Sequence, residues 1–136
     1  GLWECADEFP PFIAVDQEGG RVHRLPEPFT HFPSAARIGE TRNQDFIYRA
    51  GKAAGAELVL RGFNLNFAPV LDVNSNPQNP IIADRSFGCE PKQVIESASA
   101  WARGLRDGGV IPCAKHFPGH GDTDKDSIAA LLDKAL

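Results

Sequence analysis

Methionine is absent from the 136 residues and cysteine is scarce, and each shortage limits what the chain can be. Because there is no methionine and the first residue is glycine, we expect the natural start of the protein to precede Gly1. The three cysteines are far apart and odd in number, which argues against a disulfide framework or a paired metal motif. We therefore predict reduced thiols at Cys5, Cys89 and Cys113, the last of them in a core strand.

Long apolar runs and phosphate-binding motifs are also missing. No segment approaches the roughly 18 apolar residues of a transmembrane helix, and no signal peptide is visible. No predicted strand is followed by GxGxxG or by GxxxxGK(S/T), so a nucleotide site lacks support. A net charge of -4 argues against nucleic acid or an anionic membrane as a partner. With 42% apolar and 24% charged residues, the chain has the composition of one globular domain.

One stretch concentrates the polar chemistry. Residues 115–127 read KHFPGHGDTDKDS and hold two of the four histidines. The apolar segment 110–114 precedes them directly, after two glycines. This order predicts a buried strand that carries Lys115 and His116 to its carboxyl end and then opens into a loop. Loops at such positions carry binding and catalytic residues on a rigid scaffold.

Apolar runs alternate with stretches of helical spacing along the rest of the chain. We predict strands at residues 12–15, 63–71 and 110–114, the first of them buried on both faces, and helices at 42–61 and 91–107. Strands separated by helical crossovers are typical of a parallel sheet, so the predicted fold class is α/β. Charged residues end all three strands, and they therefore meet at one edge of the sheet.

Two local signals refine these boundaries. Thr41 and Gln44 resemble a capping box, which predicts the start of the first helix next to them. Three prolines predict that residues 25–33 form an irregular loop.

Four motifs follow one another at the predicted strand ends. They are AVDQEGGRVxR at residues 14–24, NFAPVLDV at 66–73, DRSF at 84–87 and KHFPGHGD at 115–122. In this order they closely resemble the N-terminal catalytic domain of glycoside hydrolase family 3, in particular its bacterial β-N-acetylglucosaminidase branch. The resemblance covers about residues 12–127 and implies a partial TIM (β/α)8 barrel with about three parallel strands and flanking helices. Residues 1–136 would be the central part of that domain, with an atypical stretch at 128–136.

The resemblance also implies which residues bind the sugar. Five positions match the family's pocket for a non-reducing N-acetylglucosamine: Asp16, Arg24, Arg85, Lys115 and His116. Charge-assisted hydrogen bonds from such groups suit vicinal hydroxyls. Each residue also has a structural interpretation, such as a cap for Asp16, a surface position for Arg24 or an ion pair for Arg85. For Glu18 and Asp72 the structural and functional interpretations are evenly balanced.

The catalytic part of the family pattern is incomplete here. In this branch an Asp orients a His two residues later, and that His is the general acid/base. Asp126 and Ser127 match, but Ile128 stands in the position of the His and cannot move a proton. The family's nucleophilic Asp has no counterpart in these residues. The resemblance therefore implies a retaining glycosidase whose 136-residue piece is inactive alone and which needs no cofactor.

Three alternatives remain open. A non-catalytic module that binds a sugar or a partner would explain Ile128, and a β-glucosidase-type member of the same family would share the motifs. The third is a metal site, because residues 122–133 imitate a calcium loop, but Ser127 occupies its glycine position. His116 and His120 are separated by a Pro-Gly break that excludes helical HxxxH geometry.

The expected partner is an N-acetylglucosamine-containing glycan or a muropeptide of peptidoglycan recycling. We expect neither nucleic acid nor a membrane span, and open sheet edges allow self-association. The compartment is left open, with the bacterial cytoplasm favoured over the envelope or secretion.

Overall fold

The computed structural model describes residues 11–124, and its centre is a sheet of three short parallel strands. The strands are β1 (Ala14–Val15), β2 (Leu65–Asn66) and β3 (Ile111–Pro112), in the spatial order β1-β2-β3. Leu65 lies opposite Ala14 on one side and Ile111 on the other. The predicted parallel α/β arrangement is confirmed.

Within residues 11–124, three α-helices accompany the sheet: α1 (Ala35–Glu40), α2 (Gln44–Leu60) and α3 (Pro91–Asp107). A short 3-10 helix, Ala83–Arg85, lies in the loop between β2 and α3. Pro91 occupies the first turn of α3, where its missing N–H costs nothing, and Gly108 ends that helix. The prediction for α3 is therefore confirmed at both ends. Within the described residues, no helix is long and apolar enough to cross a membrane.

The core lies between the sheet and the helix pair α2–α3. Its members are fully or almost fully buried, and the fully buried ones include Ile47, Leu58, Val94, Leu105 and Val110. Trp101 of α3 extends the core toward α1, with its ring 6.0 Å from that of Phe32 in an edge-to-face contact. Burial of this apolar surface is the main favourable contribution to folding.

The two long helices contact each other through glycines. A Cβ added at Gly51 of α2 would meet the Trp101 carbonyl oxygen at 2.6 Å, and one at Gly108 would meet the Lys52 carbonyl oxygen at 2.6 Å. These distances are too short for any side chain, so only glycine allows the two backbones to approach this closely.

Two features of the helical regions differ from the predictions. The capping box is wrong, because Asn43 caps α2 through a 3.0 Å hydrogen bond from the Phe46 amide, while the Thr41 hydroxyl donates to the Ile38 carbonyl of α1. The sequence reasoning also missed α1. Its six residues are too few to show a helical period.

The strands are also shorter and less buried than predicted. Phe12 is 73% exposed and Ile111 is 50% exposed, so the sheet is not covered on both faces by residues 11–124. Cys113 is only partly buried and follows β3, which corrects the prediction of a core-strand cysteine. The prolines at 69 and 112 have no N–H to donate, and the regular pairing accordingly stops near them.

Candidate functional site

The carboxyl ends of the three strands converge, as parallel pairing requires. Beyond the regular pairing, Val70 bridges to Lys115, which brings the segment after β2 beside the segment after β3. After β1, the side chain of Asn66 receives the Gln17 amide at 3.0 Å and donates to the Gln17 carbonyl at 2.9 Å. Asn66 is fully buried and thereby determines where the chain turns after Asp16.

Glu18 is the centre of the charged network at this edge. Its carboxylate receives two hydrogen bonds from the Arg85 guanidinium, at 2.9 and 2.8 Å, and lies 2.5 Å from the Lys115 ammonium. All three side chains are largely buried, and Glu18 is only 5% exposed. A buried carboxylate with two cationic partners is well stabilised, whereas removal of one member would leave a charge uncompensated.

Burial and charge act in opposite directions on the acidity of this network. Burial raises the pKa of Glu18, but the hydrogen bonds and charges of Arg85 and Lys115 together outweigh it, so the pKa lies below its usual range. The hydrogen bond to Glu18 raises the pKa of Arg85 despite burial of the guanidinium. The network therefore holds Glu18 as a carboxylate at neutral pH.

Asp16 stands at the open side of the same network. The Lys115 ammonium contacts its carboxylate, and the side chain is 42% exposed, in contrast with Glu18. One oxygen faces Lys115, and the exposed part of the carboxylate can accept hydrogen bonds from a ligand.

Asp72 organises the segment after β3 and is completely buried. One carboxylate oxygen receives the His116 ring Nδ1 at 2.6 Å and the His116 backbone N at 3.2 Å, and the other receives the His120 amide at 2.5 Å. Because a carboxylate only accepts, His116 carries its hydrogen on Nδ1. Nε2 of the same ring lies 3.4 Å from an N–H group of Arg85 and accepts from it. His116 is thus oriented from both sides, and its Nε2 faces a donor rather than a position from which it could deliver a proton.

The structure brings four of the five predicted sugar-binding residues together: Asp16, Arg85, Lys115 and His116. Arg24 is different. Its backbone amide donates to the Gln17 side chain at 2.6 Å, but its guanidinium is exposed and makes no hydrogen bond or ion pair within residues 11–124. Asp126, Ser127 and Ile128 lie outside the described residues.

A cleft of about 500 Å³ opens beside this network, between residues 71–75 and 114–123. Asp72, Lys115 and His116 line it, and the fully exposed ring of Phe117 stands at its border. The cleft combines an apolar border with fixed polar groups, which is the usual character of a small-molecule site.

Several organising residues were missed or undecided in the sequence. Glu18 and Asp72, left between structural and functional interpretations, are the two buried carboxylates that hold the cations and the imidazole. The amides of Gln17, Asn66 and Asn79 were not identified at all. An Asn inside a predicted buried strand was the available signal, because a buried amide needs partners for both its N and its O.

The structure bears on only one of the two metal sites considered above, because most of the calcium-like stretch 122–133 lies outside the described residues. His116 and His120 bind separate partners, and their ring centres are 6.4 Å apart. Within residues 11–124, no group of three or more His, Cys, Asp or Glu side chains is arranged to hold a metal ion.

Comparison with known proteins shows the relationships of the chain. The model of the glycosyl hydrolase family 3 N terminal domain matches residues 4–132. Beta-hexosaminidase A of Pseudoalteromonas piscicida is 47% identical over 132 residues, which cover 94% of this chain and 22% of that protein. Beta-hexosaminidase LpqI of Mycobacterium tuberculosis is 43% identical over 119 residues, 87% of this chain and 31% of the relative.

Solved structures agree with these matches. Mycobacterium tuberculosis LpqI superposes with a TM-score of 0.86 at 40% identity, covering 92% of this chain and 37% of that chain. NagZ from Neisseria gonorrhoeae in complex with N-trifluoroacetyl-D-glucosamine superposes with a TM-score of 0.77 at 40% identity, covering 85% of this chain and 36% of that one. The chain thus spans between about a fifth and two fifths of the length of these relatives.

The family model covers almost the whole chain, and the parallel strands and helices superpose on one part of the larger relatives. The expected partial TIM barrel is thereby confirmed. The chain belongs to glycosyl hydrolase family 3, as part of its N-terminal domain.

Proposed function

We propose that this chain supplies the sugar-binding part of a family 3 β-N-acetylhexosaminidase that removes terminal β-linked N-acetylglucosamine from glycans or muropeptides. Two curated relatives carry the name beta-hexosaminidase, and a neighbouring structure holds an N-acylated glucosamine. The residues in this chain would form the central part of the barrel domain.

The observation that carries the proposal is the contrast between Glu18 and Asp16. Glu18 is buried and occupied by Arg85 and Lys115, whereas Asp16 contacts the same lysine and keeps an exposed carboxylate edge. A ligand therefore meets an acceptor, the Asp16 carboxylate, next to a donor, the Lys115 ammonium. The buried Glu18 carboxylate holds that ammonium in place. Two adjacent hydroxyls of a sugar offer the complementary pair of groups.

The charge balance favours a neutral ligand. Three carboxylates, those of Asp16, Glu18 and Asp72, face the two permanent cations of Lys115 and Arg85. The sum of these charges is slightly negative when His116 is neutral, and the Arg24 cation predicted for the same pocket would bring it to zero. The site therefore offers no net positive charge to a phosphate or carboxylate ligand. A hydroxyl-rich sugar brings no charge and can use donors and acceptors alike.

The reaction we propose is hydrolysis with retention, through a covalent glycosyl-enzyme intermediate. Retaining glycosidases need two catalytic groups: a nucleophile that forms the covalent intermediate, and a general acid/base that first protonates the leaving group. Asp126 is proposed to correspond to the carboxylate that, in other members of the family, orients the acid/base histidine. Ile128 stands in the position of that histidine, and the nucleophile has no counterpart in the 136 residues.

A hybrid enzyme tests the proposal. Residues 12–124 replace the matching segment of Mycobacterium tuberculosis LpqI, so that the host supplies its own residues for the remainder of the site. We expect hydrolysis of an aryl β-N-acetylglucosaminide, and loss of at least about a hundredfold in kcat/KM with Asp16→Asn, which removes the charged acceptor. A folded hybrid that hydrolyses an aryl β-glucoside faster than the N-acetylglucosaminide would contradict the sugar specificity.

The isolated chain provides the complementary experiment. We expect no turnover of the aryl β-N-acetylglucosaminide by the 136 residues or by their Ile128→His variant, because restoring an acid/base leaves the nucleophile missing. Turnover that disappears with Asp16→Ala would show that the chain contains a nucleophile of its own. Addition of a chelator to the hybrid should leave its rate unchanged, since no step of the proposed reaction uses a metal ion.

A further inference from the structure

Asn79 is a buried amide in the loop between β2 and α3, and all its hydrogen-bonding capacity is used. Its Oδ1 receives the backbone amides of Ile81 and Ile82 at 2.9 and 2.8 Å. Its Nδ2 donates to the His120 carbonyl at 2.6 Å and lies 3.5 Å from the Thr123 hydroxyl. One side chain therefore joins two loops that are 41 positions apart in the sequence.

The first of these loops carries Arg85. With the amides of Ile81 and Ile82 fixed by Asn79, the Ile81 carbonyl accepts from the Arg85 guanidinium at 3.1 Å. The Arg21 guanidinium donates to the same carbonyl at 2.5 Å. The turn that Asn79 shapes thus holds the Arg85 guanidinium in the position from which it contacts Glu18 and His116.

The second loop follows His116. The His120 amide donates to Asp72, and the His120 carbonyl receives Asn79, so opposite ends of one residue are held by two buried side chains. Thr123 adds contacts to the ring and the carbonyl of His120. Asp126, the proposed orienting carboxylate, comes three residues after Thr123 in the sequence.

We propose that Asn79 is a positioning residue, which couples the turn bearing Arg85 to segment 120–123 so that the two sides of the sugar site keep one relative arrangement. It touches no reacting atom, and its effect on sugar recognition rests on the function proposed above. An amide is required at this position, because it must accept on one side and donate on the other.

Asn79→Asp tests the coupling with little change of shape. The carboxylate still accepts from Ile81 and Ile82, but it cannot donate and would face the His120 carbonyl oxygen as a second acceptor. Asn76→Asp is the matched control, because the Asn76 side chain accepts from the Gln78 amide at 3.0 Å and its carboxylate replacement would still do so, while the loop and the charge change are the same. Asn79→Ala is the second variant, since it introduces no charge.

Amide hydrogen exchange in the 136-residue chain measures the outcome. With Asn79→Asp, the His120 carbonyl loses its bond from Asn79, so segment 120–123 opens more easily and the bond from the His120 amide to Asp72 breaks more often. Exchange at the His120 amide should therefore accelerate about tenfold or more, the amount expected for a lost hydrogen bond of about 1.4 kcal/mol, while Ile81, Ile82 and the amides of α2 and α3 stay protected. With Asn79→Ala, exchange should accelerate at Ile81 and Ile82 as well as at His120. Asn76→Asp should match the unmodified chain.

Two results would overturn the proposal. Unchanged exchange at His120 in Asn79→Asp would mean that no coupling passes through this amide. Equal acceleration at His120 and in both helices would mean that Asn79 contributes only to general stability.

A titration of the LpqI hybrid described above with N-acetylglucosamine, followed by the NMR signals of Lys115 and His116, separates this inference from the proposed function. We expect the dissociation constant to rise at least about tenfold with Asn79→Asp and to stay constant with Asn76→Asp. No response of the hybrid without these substitutions would contradict the proposed sugar site, whereas the exchange experiment would still decide the role of Asn79.

Discussion

The strand-end network and the α2–α3 contact hold the molecule together by opposite means. At the strand ends, a few charged side chains join the loops, and each depends on a partner of opposite sign. Between α2 and α3, the decisive feature is the lack of side chains at glycines 51, 55, 104 and 108. The first region is therefore sensitive to the loss of a group and the second to the addition of one.

Loss of the central charge should give the largest effect. Glu18→Gln keeps the shape of the side chain but leaves the buried Arg85 guanidinium without its carboxylate partner and Lys115 with Asp16 alone, which costs about 3–5 kcal/mol of unfolding free energy. Urea unfolding monitored by circular dichroism would measure it. Glu40→Gln is the control, because its pair with Arg37 is exposed and contributes at most about 1 kcal/mol. Similar losses in both variants would contradict the contrast between buried and exposed pairs.

Addition of one methyl group between the helices should come next. Gly104→Ala places a Cβ 2.7 Å from the Lys52 backbone nitrogen, so the helices must separate, at a cost of about 1–3 kcal/mol. Ser99→Ala introduces the same residue on the exposed face of α3 and should change stability by less than about 0.5 kcal/mol. A neutral result for Gly104→Ala would show that the two backbones can move apart freely.

Acid should weaken the strand-end network more than the helix contact. The pKa of Glu18 is lowered in the folded state, so its contribution is complete above the ordinary value of 4.5 and is lost as pH falls through the folded-state pKa. We expect the unfolding free energy of the chain to decline as pH falls below 4.5, and the decline to be shallower in Glu18→Gln. Parallel pH profiles of the two proteins would refute this assignment.

The helix cap should give the smallest effect of the series. Asn43→Ala removes the acceptor for the Phe46 amide and should cost about 1 kcal/mol, measured by thermal unfolding. Asn43→Asp retains an acceptor and adds a negative charge at the helix N-terminus, so it should cost close to nothing. A larger loss from Asn43→Asp than from Asn43→Ala would argue against this cap.

The fold was more predictable from the sequence than the site. Helix α3 could be placed at both ends because Pro91 and Gly108 are strong local signals, and the order of strands and helices indicated parallel pairing. Pairing in turn indicated that Asp16, Asp72 and Lys115 would meet. The cap at Asn43 could not be chosen over Thr41, because either side chain can accept at a helix start and only the geometry of the preceding α1 decides between them.

The division of roles inside the site could not be predicted in the same way. Asp16 and Glu18 are two residues apart and chemically alike, and only three-dimensional burial makes one the exposed acceptor and the other the internal counter-ion. The structural role of Asn79 depends on His120, far along the chain, so no local pattern indicates it. The sugar-binding role of Arg24 stays a prediction, since its guanidinium contacts nothing in residues 11–124.

The two carboxylate oxygens of Asp72 limit the insertions and deletions that the segment between His116 and His120 can accept. One oxygen holds His116 and the other holds His120, so the intervening three residues close a small ring whose length is set by a single side chain. Insertion or deletion of even one codon between them would force one of these bonds to break. Substitution is less constrained, because the ring of Phe117 points entirely into solvent. Position 117 should therefore tolerate substitution, whereas Gly119, with a φ of 136°, should not, and neither should the length of the segment between the two histidines.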